Sequence, residues 1–317
     1  MSKATNSKFQ LRTRSTSDKI VDIGFKNIVI TMASMVAIVL FLIFVVVYYE
    51  STESISKYGL KFLYSSAWNP VKDEYGAFTA IYGTLFTSIS ALVIAIPLGV
   101  GTAIFITENI FPKYLRDAIS IMVELLAAIP SVVLGLWAVF IMEPFIRPLL
   151  RIIHELFGFI PFFGTQPLGA GMMPAILILV IMILPIITSI SKDSLNQVPT
   201  NLRQAAYGIG ASRWTTIFEV IIPASISGIA GGVLLALGRA MGETMAVTMI
   251  IGNSNNFSWS IFAPSYTISS MLANQFGEAD GSQVSSLMYA ALILMILTLC
   301  VNIFAQVIVK KFSLKYK

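Results

Sequence analysis

The chain has 317 residues, of which 56% are hydrophobic and only 12% charged, with a mean hydropathy of +0.82. A soluble domain carries about 25% charged residues, so the composition excludes an ordinary water-soluble enzyme or binding module and points to an all-α membrane protein of several spans. The net charge of +5 is read as membrane topology, so contact with lipid and none with nucleic acid is expected.

A single cysteine, Cys300, leaves no intrachain disulfide. A single histidine, His154, rules out a multi-histidine metal centre built from this chain alone, and no cofactor is expected.

Residues 1–26 form a basic head, with Lys3, Lys8, Arg12, Arg14, Lys19 and Lys26 against Asp18 and Asp22. Residues 28–49 then run 22 positions without a charge. That is enough to cross a hydrocarbon layer of about 30 Å at about 1.5 Å per residue. The run is too long for a signal-peptide core of roughly 7–15 residues, and no small-x-small cleavage site follows it. A basic, Ser-rich head also suits a transit peptide, but two acids and an abutting span argue against that. The expectation is an uncleaved first span with a cytoplasmic N-terminus.

Residues 50–78, with Trp68, Asn69 and Pro70, read as an outer loop of mixed charge. Further spans are expected at 83–105, 119–142, 173–190, 224–251 and 285–309, which makes six and returns the C-terminus to the cytoplasm. Of the 21 Lys and Arg, fifteen then fall on the inner side, five on the outer side, and Arg239 inside a span, in keeping with the positive-inside rule. The chain divides accordingly into a basic tail (1–26), a first span with outer loop (27–78), a permease domain (79–309) with a cytoplasmic elbow (191–223), and a second basic tail (310–317).

Pro97, Gly99 and Gly101 in the second span, Pro130 in the third and Pro185 in the fourth are sites of expected kinks, because each proline removes a backbone hydrogen bond and crowds the preceding turn. Residues 158–174, rich in Gly, Pro and Phe, read as an outer loop or a re-entrant piece.

In the elbow, Pro199 opens a short helical pattern, Gly208 and Gly210 break it, and the pattern resumes with Trp214, Ile217 and Phe218 on one face. Gln204-Ala205-Ala206, then Gly210, then Ile222-Pro223 resembles the "EAA" loop of ABC-importer permeases. In that family the loop forms coupling helices seated in a cleft of the ATPase subunit, which implies such a role for Gln204, Ala205, Ala206, Gly208, Gly210, Arg213 and Pro223. The family's leading Glu is Gln204 here, so any salt bridge it makes is lost, and Val220 stands where the family has Ile.

Three further stretches narrow the resemblance: Tyr82-Gly83-Thr84, Glu124-Leu-Leu-Ala-Ala-Ile-Pro130-Ser131, and Gly238-Arg-Ala-Met-Gly-Glu-Thr-Met-Ala-Val-Thr248 with Ile251-Gly252-Asn253. They are similar to permeases of the phosphate-specific (Pst) importers, and the wording favours the PstC-type over the PstA-type subunit. The likeness runs from about residue 57 onward. It implies a MetI-like type I importer fold, import of inorganic phosphate, and a bacterial or archaeal cytoplasmic membrane. The implied partners are a PstA-type permease, a PstB-type ATPase dimer and an extracytoplasmic phosphate-binding protein.

The residues give an independent reading of the charged stretch. At about 100° per residue, Gly228, Leu235, Arg239, Gly242 and Ala246 share a helix face, with Gly232 and Glu243 at its edge. Gly228/Gly232 and Gly238/Gly242 are Gly-x-x-x-Gly pairs that let a neighbouring helix approach, so this face is expected to be the packed one. Burying Arg at a helix centre against lipid costs roughly 2.5–3.5 kcal/mol, which argues for an inward arginine. Its depth is taken as near the midplane, with the first turns of a 224–251 helix protruding into the cytoplasm.

Arg donates paired hydrogen bonds to a tetrahedral oxyanion, so Arg239 is the expected substrate contact, with Glu243 pairing it when the path is empty. A static ion pair locking two helices is the competing reading. Glu124 is placed as a third intramembrane charge a turn or so inside the cytoplasmic end, either lining the inner mouth or simply reaching the interface, and Ser131 as a hydroxyl beside the path. No His-Glu-x-x-His, Gly-x-Ser-x-Gly or P-loop pattern occurs, so the chain is not expected to be an enzyme and ATP hydrolysis falls to a partner. An ion-coupled secondary transporter using Glu124 or Glu243, and an ABC permease for sulfate or molybdate, remain the alternatives.

Overall fold

The computed structural model describes residues 16–108 and 110–313. Lys3, Lys8, Arg12 and Arg14 of the N-terminal tail, and Lys315 and Lys317 of the C-terminal one, lie outside the described residues. The chain divides into two units, residues 1–49 and 50–317.

The first unit contributes most of one helix, α1 (Thr16–Tyr58), which ends in the second. Side chains from Val21 to Val46 are exposed and overwhelmingly apolar beyond Lys26, the surface that a hydrocarbon layer solvates.

The second unit continues from Glu50 through a two-stranded ribbon, β1 (Trp68–Asn69) and β2 (Glu74–Tyr75), into α2 (Phe78–Thr107). The remaining helices are α3 (Lys113–Ala128), α4 (Ser131–Trp137), α5 (Glu143–Phe157), α6 (Met172–Asn196), α7 (Thr200–Gly208), α8 (Arg213–Thr215), α9 (Ile222–Gly242), α10 (Met245–Ile250), α11 (Ile268–Gln275) and α12 (Ser282–Ser313). π-helical turns join α4 to α5 (Ala138–Met142) and α8 to α9 (Thr216–Ile221).

Six helical stretches among the described residues are long and apolar enough to cross a membrane: Val21–Leu63, Phe78–Thr107, Ser131–Phe157, Met172–Asn196, Arg213–Gly242 and Ser282–Lys311. The expected number of spans is therefore met, and two boundaries are corrected.

The third span is not 119–142. Pro130 has no N–H and forces Ile129 into extended geometry (φ −71°, ψ 127°), so α3 stops at Ala128 and a new helix begins at Ser131. The apolar run from 119 to 142 belongs to two helices, and the span extends instead through Glu143 and Arg147 to Phe157. The fifth span is displaced from 224–251 to Arg213–Gly242, because the helix already starts in the elbow and the backbone leaves it at Glu243 (φ −67°, ψ 126°). By contrast, α2 runs through Pro97 and α6 through Pro185 without ending.

The core lies where α2, α6 and α9 cross, with Ala91 and Ala95, Ile183 and Ile187, and Ala236 and Met241 all fully or almost fully buried. Small residues set the spacing. A Cβ on Gly99 would stand 2.8 Å from Ile187, one on Gly232 3.0 Å from Ile190, and one on Gly228 would collide with Ser194. The Gly228/Gly232 pair thus serves close approach to α6.

Gly238 and Gly242 face open space, and Leu235 and Arg239 on the same side are exposed. The face expected to be packed is therefore packed at Gly228 and Gly232 and open in this chain from Leu235 to Gly242. Its buried side is Ser225, Ile229, Gly232, Ala236, Ala240 and Met241.

Residues 158–171 form an outer loop held by backbone bonds to the segment after α10. Gly171 N donates to Ile250 O (2.9 Å), Met173 N to Ile261 O (2.9 Å), and Ile261 N to Phe162 O (2.9 Å). Nearby, the end of α1 is fixed to α12 by Ser54 Oγ and Ser286 Oγ at 2.9 Å.

Candidate functional site: a half-exposed arginine at mid-depth and a cytoplasmic elbow

Arg239 occupies the last turn of α9, where a cation is favoured by the negative end of the helix dipole. Its side chain is 46% exposed, whereas that of Glu243 is 8% exposed, and Arg239 Nη2 stands 4.0 Å from Glu243 Oε2. At that separation the two attract without a hydrogen bond. The break at Glu243 is the cause: once the chain leaves the helix, the carboxylate no longer lies directly over the arginine one turn below.

Arg239 lines a cavity of about 130 Å³ whose other walls are Leu126, Ala127, Ile129, Leu134, Met182, Pro185 and Ile186. Every wall other than the arginine is apolar. Pro185 and Ile186 lie halfway along α6, so the cavity is level with the middle of that span. A guanidinium in such surroundings attracts an anion more strongly than in water, because the local dielectric is low.

The other expected path residues are elsewhere. Glu124 is on α3, outside the spanning helices, and its side chain is 67% exposed with Lys192 Nζ 3.9 Å away. The end of its helix, Leu126 to Ile129, walls the cavity, but Glu124 itself does not line it. Ser131 opens α4 half-buried beside the Ile129–Pro130 turn, and Leu134 rather than Ser131 reaches the cavity.

The elbow is a compact turn of α7, a short connection and α8. Gln204 and Ala205 are exposed on α7 and Ala206 is buried beneath. Gly208 ends the helix, but only Gly210 has the left-handed backbone (φ +87°) that needs glycine. Arg213 begins α8, which Ser212 caps by accepting from Thr215 N (3.1 Å). Trp214 and Phe218 stack with centroids 6.1 Å apart and are 58% and 59% exposed, while Ile217 of the same face is buried.

Pro223 does not close the elbow off. It sits in the first turn of α9 and the helix runs through it from Arg213, the wide π turn ahead of it absorbing the backbone bond that proline cannot make.

Two ion pairs carry no weight in the sequence reading. Arg203 of α7 donates from Nη1 to Glu108 Oε1 (2.5 Å), at the end of α2, and from Nη2 to Leu195 O (2.9 Å). A lone acid at the inner end of an apolar helix, against the basic trend of that side, was the available signal. On α5, Arg147 donates from Nε to Glu143 Oε1 (2.7 Å) and from Nη2 to Glu143 Oε2 (2.5 Å). The four-residue spacing was visible, but ending the third span at Met142 put it in a loop.

Six spanning helices, an exposed cytoplasmic elbow and an arginine-lined cavity define a multi-pass membrane permease driven from another subunit. The family model for the "binding-protein-dependent transport system inner membrane component" matches residues 95–314. The chain belongs to that family, whose members serve in the membrane alongside a separate binding protein.

It is 47% identical over 262 residues to a Mesorhizobium japonicum protein named phosphate transport system permease protein PstC, covering 81% of this chain and 80% of the relative. It is 38% identical over 313 residues to the Pasteurella multocida protein of the same name, covering 97% and 98%. A Methanocaldococcus jannaschii protein, named probable phosphate transport system permease protein PstC, is 35% identical and covers 88% and 90%.

Among solved structures, the bacterial alginate ABC transporter in complex with a pentasaccharide-bound periplasmic protein aligns with a TM-score of 0.65. That alignment covers 95% of this chain and 99% of the other at 14% identity. A chain of the MetNI methionine ABC transporter aligns at 0.52, covering 75% and 94% at 20% identity. These two likenesses establish the importer-permease fold.

Proposed function

We propose that this chain is the permease subunit of an ATP-driven importer that carries inorganic phosphate across the cytoplasmic membrane, receiving it from an external binding protein. The observation that carries the reading is kinship over nearly the whole chain with proteins named phosphate transport permeases. ATP hydrolysis belongs to a separate subunit, docked on the exposed face of the elbow at Gln204, Ala205 and the Trp214–Phe218 stack. A second, related permease covers the open face of α9, and the PstA-type and PstB-type subunits are the partners that fit.

The geometry supplies a means. Arg239 presents its guanidinium to an apolar cavity at mid-depth, and Glu243 holds it only loosely. A phosphate ion can take two parallel N–H donors from that side chain. Glu243, buried and acidic, disfavours a second anion and re-engages the arginine when the path empties. The π turn and Pro223 connect this helix to the elbow, so a push on the elbow is delivered to Arg239.

The test is radiolabelled phosphate uptake in vesicles holding the whole complex and the binding protein. Uptake is expected to require ATP, to survive an uncoupler, to fall to background in Arg239→Ala and to recover in part in Arg239→Lys. Excess sulfate or molybdate is expected not to compete. Collapse of uptake with the proton gradient at constant ATP would establish the ion-coupled alternative, competition by sulfate the other-oxyanion one, and full flux in Arg239→Ala would remove the arginine from the path.

A further inference from the structure

We propose that Glu108 and Arg203 form a clamp that makes the cytoplasmic elbow and the α2–α6 pair move as one body, and that this clamp, alongside the covalent joint at Pro223, carries force from the elbow to the transport cavity. The inference rests on the reading that an ATPase drives the elbow.

The chemistry of the spot explains the clamp. α2 ends at Thr107 with Glu108 as its capping residue, and α6 ends one residue past Leu195. Each helix directs the negative end of its dipole and its unpaired carbonyls to its C-terminus. A carboxylate there is unfavourable by itself, yet Glu108 is buried, 8% exposed. One guanidinium resolves the conflict. Arg203 reaches from the middle of α7 to the Glu108 carboxylate and the Leu195 carbonyl together, so a single side chain bridges three elements. A planar group with fixed, divergent donors can do this, whereas lysine, a point charge, cannot hold both directions.

The contact is backed by apolar packing of Ala103, Leu195, Val198, Ile217 and Ile221, which joins α2 and the end of α6 to the π turn ahead of α9. Next to it lies a cavity of about 280 Å³ bordered by Thr107, Glu108, Arg203, Tyr207 and Arg213. The room lets the elbow swing, and the clamp determines whether α2 and α6 swing with it.

Motion of α6 reaches the transport site directly. This helix packs along α2 and supplies Met182, Pro185 and Ile186 to the wall of the Arg239 cavity. Displacing the inner end of α6 therefore shifts the wall opposite the arginine. The covalent route instead moves α9 and the arginine itself, through the π turn at Thr216–Ile221, whose hydrogen bonding is less regular than that of an α-helix. Residues 197–199 also join α6 to α7 directly, and the clamp stiffens that short link and adds α2 to it. Both routes acting together change the gap between cation and wall.

Arg203 and Glu108 are thus positioning residues. The test uses the complete reconstituted complex with its binding protein, and two readouts. Amide hydrogen exchange of residues 200–222 and of residues 186–196 is compared without nucleotide and with ATP bound. In the wild type both segments are expected to change together. In Arg203→Ala the elbow change is expected to persist and the α6 change to shrink. The second readout is phosphate moved per ATP hydrolysed, expected to fall about fivefold or more in Arg203→Ala and less in Arg203→Lys.

Misfolding is separated by Glu108→Cys with Arg203→Cys in a Cys300→Ser background. A short bis-thiosulfonate crosslink is expected to restore both readouts and a reductant to abolish them again in the same polypeptide. An α6 change of undiminished size in Arg203→Ala, an unchanged ratio, or crosslinking without effect overturns the clamp. If the wild-type complex proves to carry another anion, the substrate reading fails while the exchange comparison still decides the clamp.

Discussion

The Glu143–Arg147 pair offers a quantitative check on where the third span lies. Glu143 is 5% exposed and accepts two hydrogen bonds from an arginine whose side chain is 36% exposed. Removing one partner of a buried pair strands a charge at about 3–5 kcal/mol. The partial exposure of Arg147 puts Arg147→Met at the lower end, about 3 kcal/mol, because solvent screens that side of the pair.

Glu143→Gln leaves an arginine that can reach water and is expected to cost about 1 kcal/mol. Glu143→Leu with Arg147→Met, which buries no charge, is expected to lie within about 1 kcal/mol of the wild type. At about 2–4 °C per kcal/mol, Arg147→Met should lower the thermal midpoint of the purified complex by about 6–12 °C, and the double variant should recover most of it. Fluorescence-detected size exclusion after heating measures all four members of the cycle. If Arg147→Met melts within about 2 °C of the wild type, or the double variant is as unstable as the single one, Glu143 is not buried and the helix does not continue past Met142.

Three further outcomes are expected. Gly232→Val presses on Ile190 and should cost about 1–3 kcal/mol by overpacking, seen as lower yield of the chain. Gly242→Val, in open space, should leave yield unchanged and reduce co-purification of the second permease. In the elbow, Gly210→Val should be strained by about 1–3 kcal/mol because φ is +87°, whereas Gly208→Ala should be neutral or slightly favourable, with protease sensitivity of the elbow as the readout.

On the outer side, Asp73 bonds to Lys57 and accepts from Ser282 Oγ (2.7 Å), and the lysine, then the serine, holds its carboxyl below the ordinary 3.8. A depressed folded-state pKa contributes stability that is present above the unfolded value and is lost as pH falls through the folded one. Hydrogen exchange of residues 64–75 should therefore accelerate as pH drops below about 3.8, after correction for intrinsic rates, and Asp73→Asn should be fast at every pH.

The legible part of the fold was what depends on solvent. Long uncharged runs, basic inner flanks and an amphipathic elbow arise from water and lipid acting on local composition, and six spans were recovered on that ground. Pro130 shows the limit of such reading. A hydropathy window sums across the proline, whereas the missing N–H and ring clash end α3 at Ala128 and move the span by about a dozen residues. Glu124 then falls on a helix separate from that span, and Glu143 with Arg147 falls within it. Pro97 and Pro185 were equally visible, yet α2 and α6 continue through them, Pro97 at an exposed position and Pro185 at a buried one.

At the site, residue chemistry singled out Arg239 and Glu243, and helical periodicity placed them on a common face. Periodicity assumes that the helix persists. Its break at Glu243 sends the carboxylate into the interior and leaves the arginine at the cavity with only loose pairing.

The sequence by itself determined the number of spans, the elbow and the charged residues that lipid does not tolerate, since these are properties of a residue and its near neighbours. Tertiary structure decided which helix faces are covered, the wall of the arginine cavity, and the meeting of Glu108 with Arg203 across 95 positions. Those depend on which helix ends converge, and no local pattern encodes that.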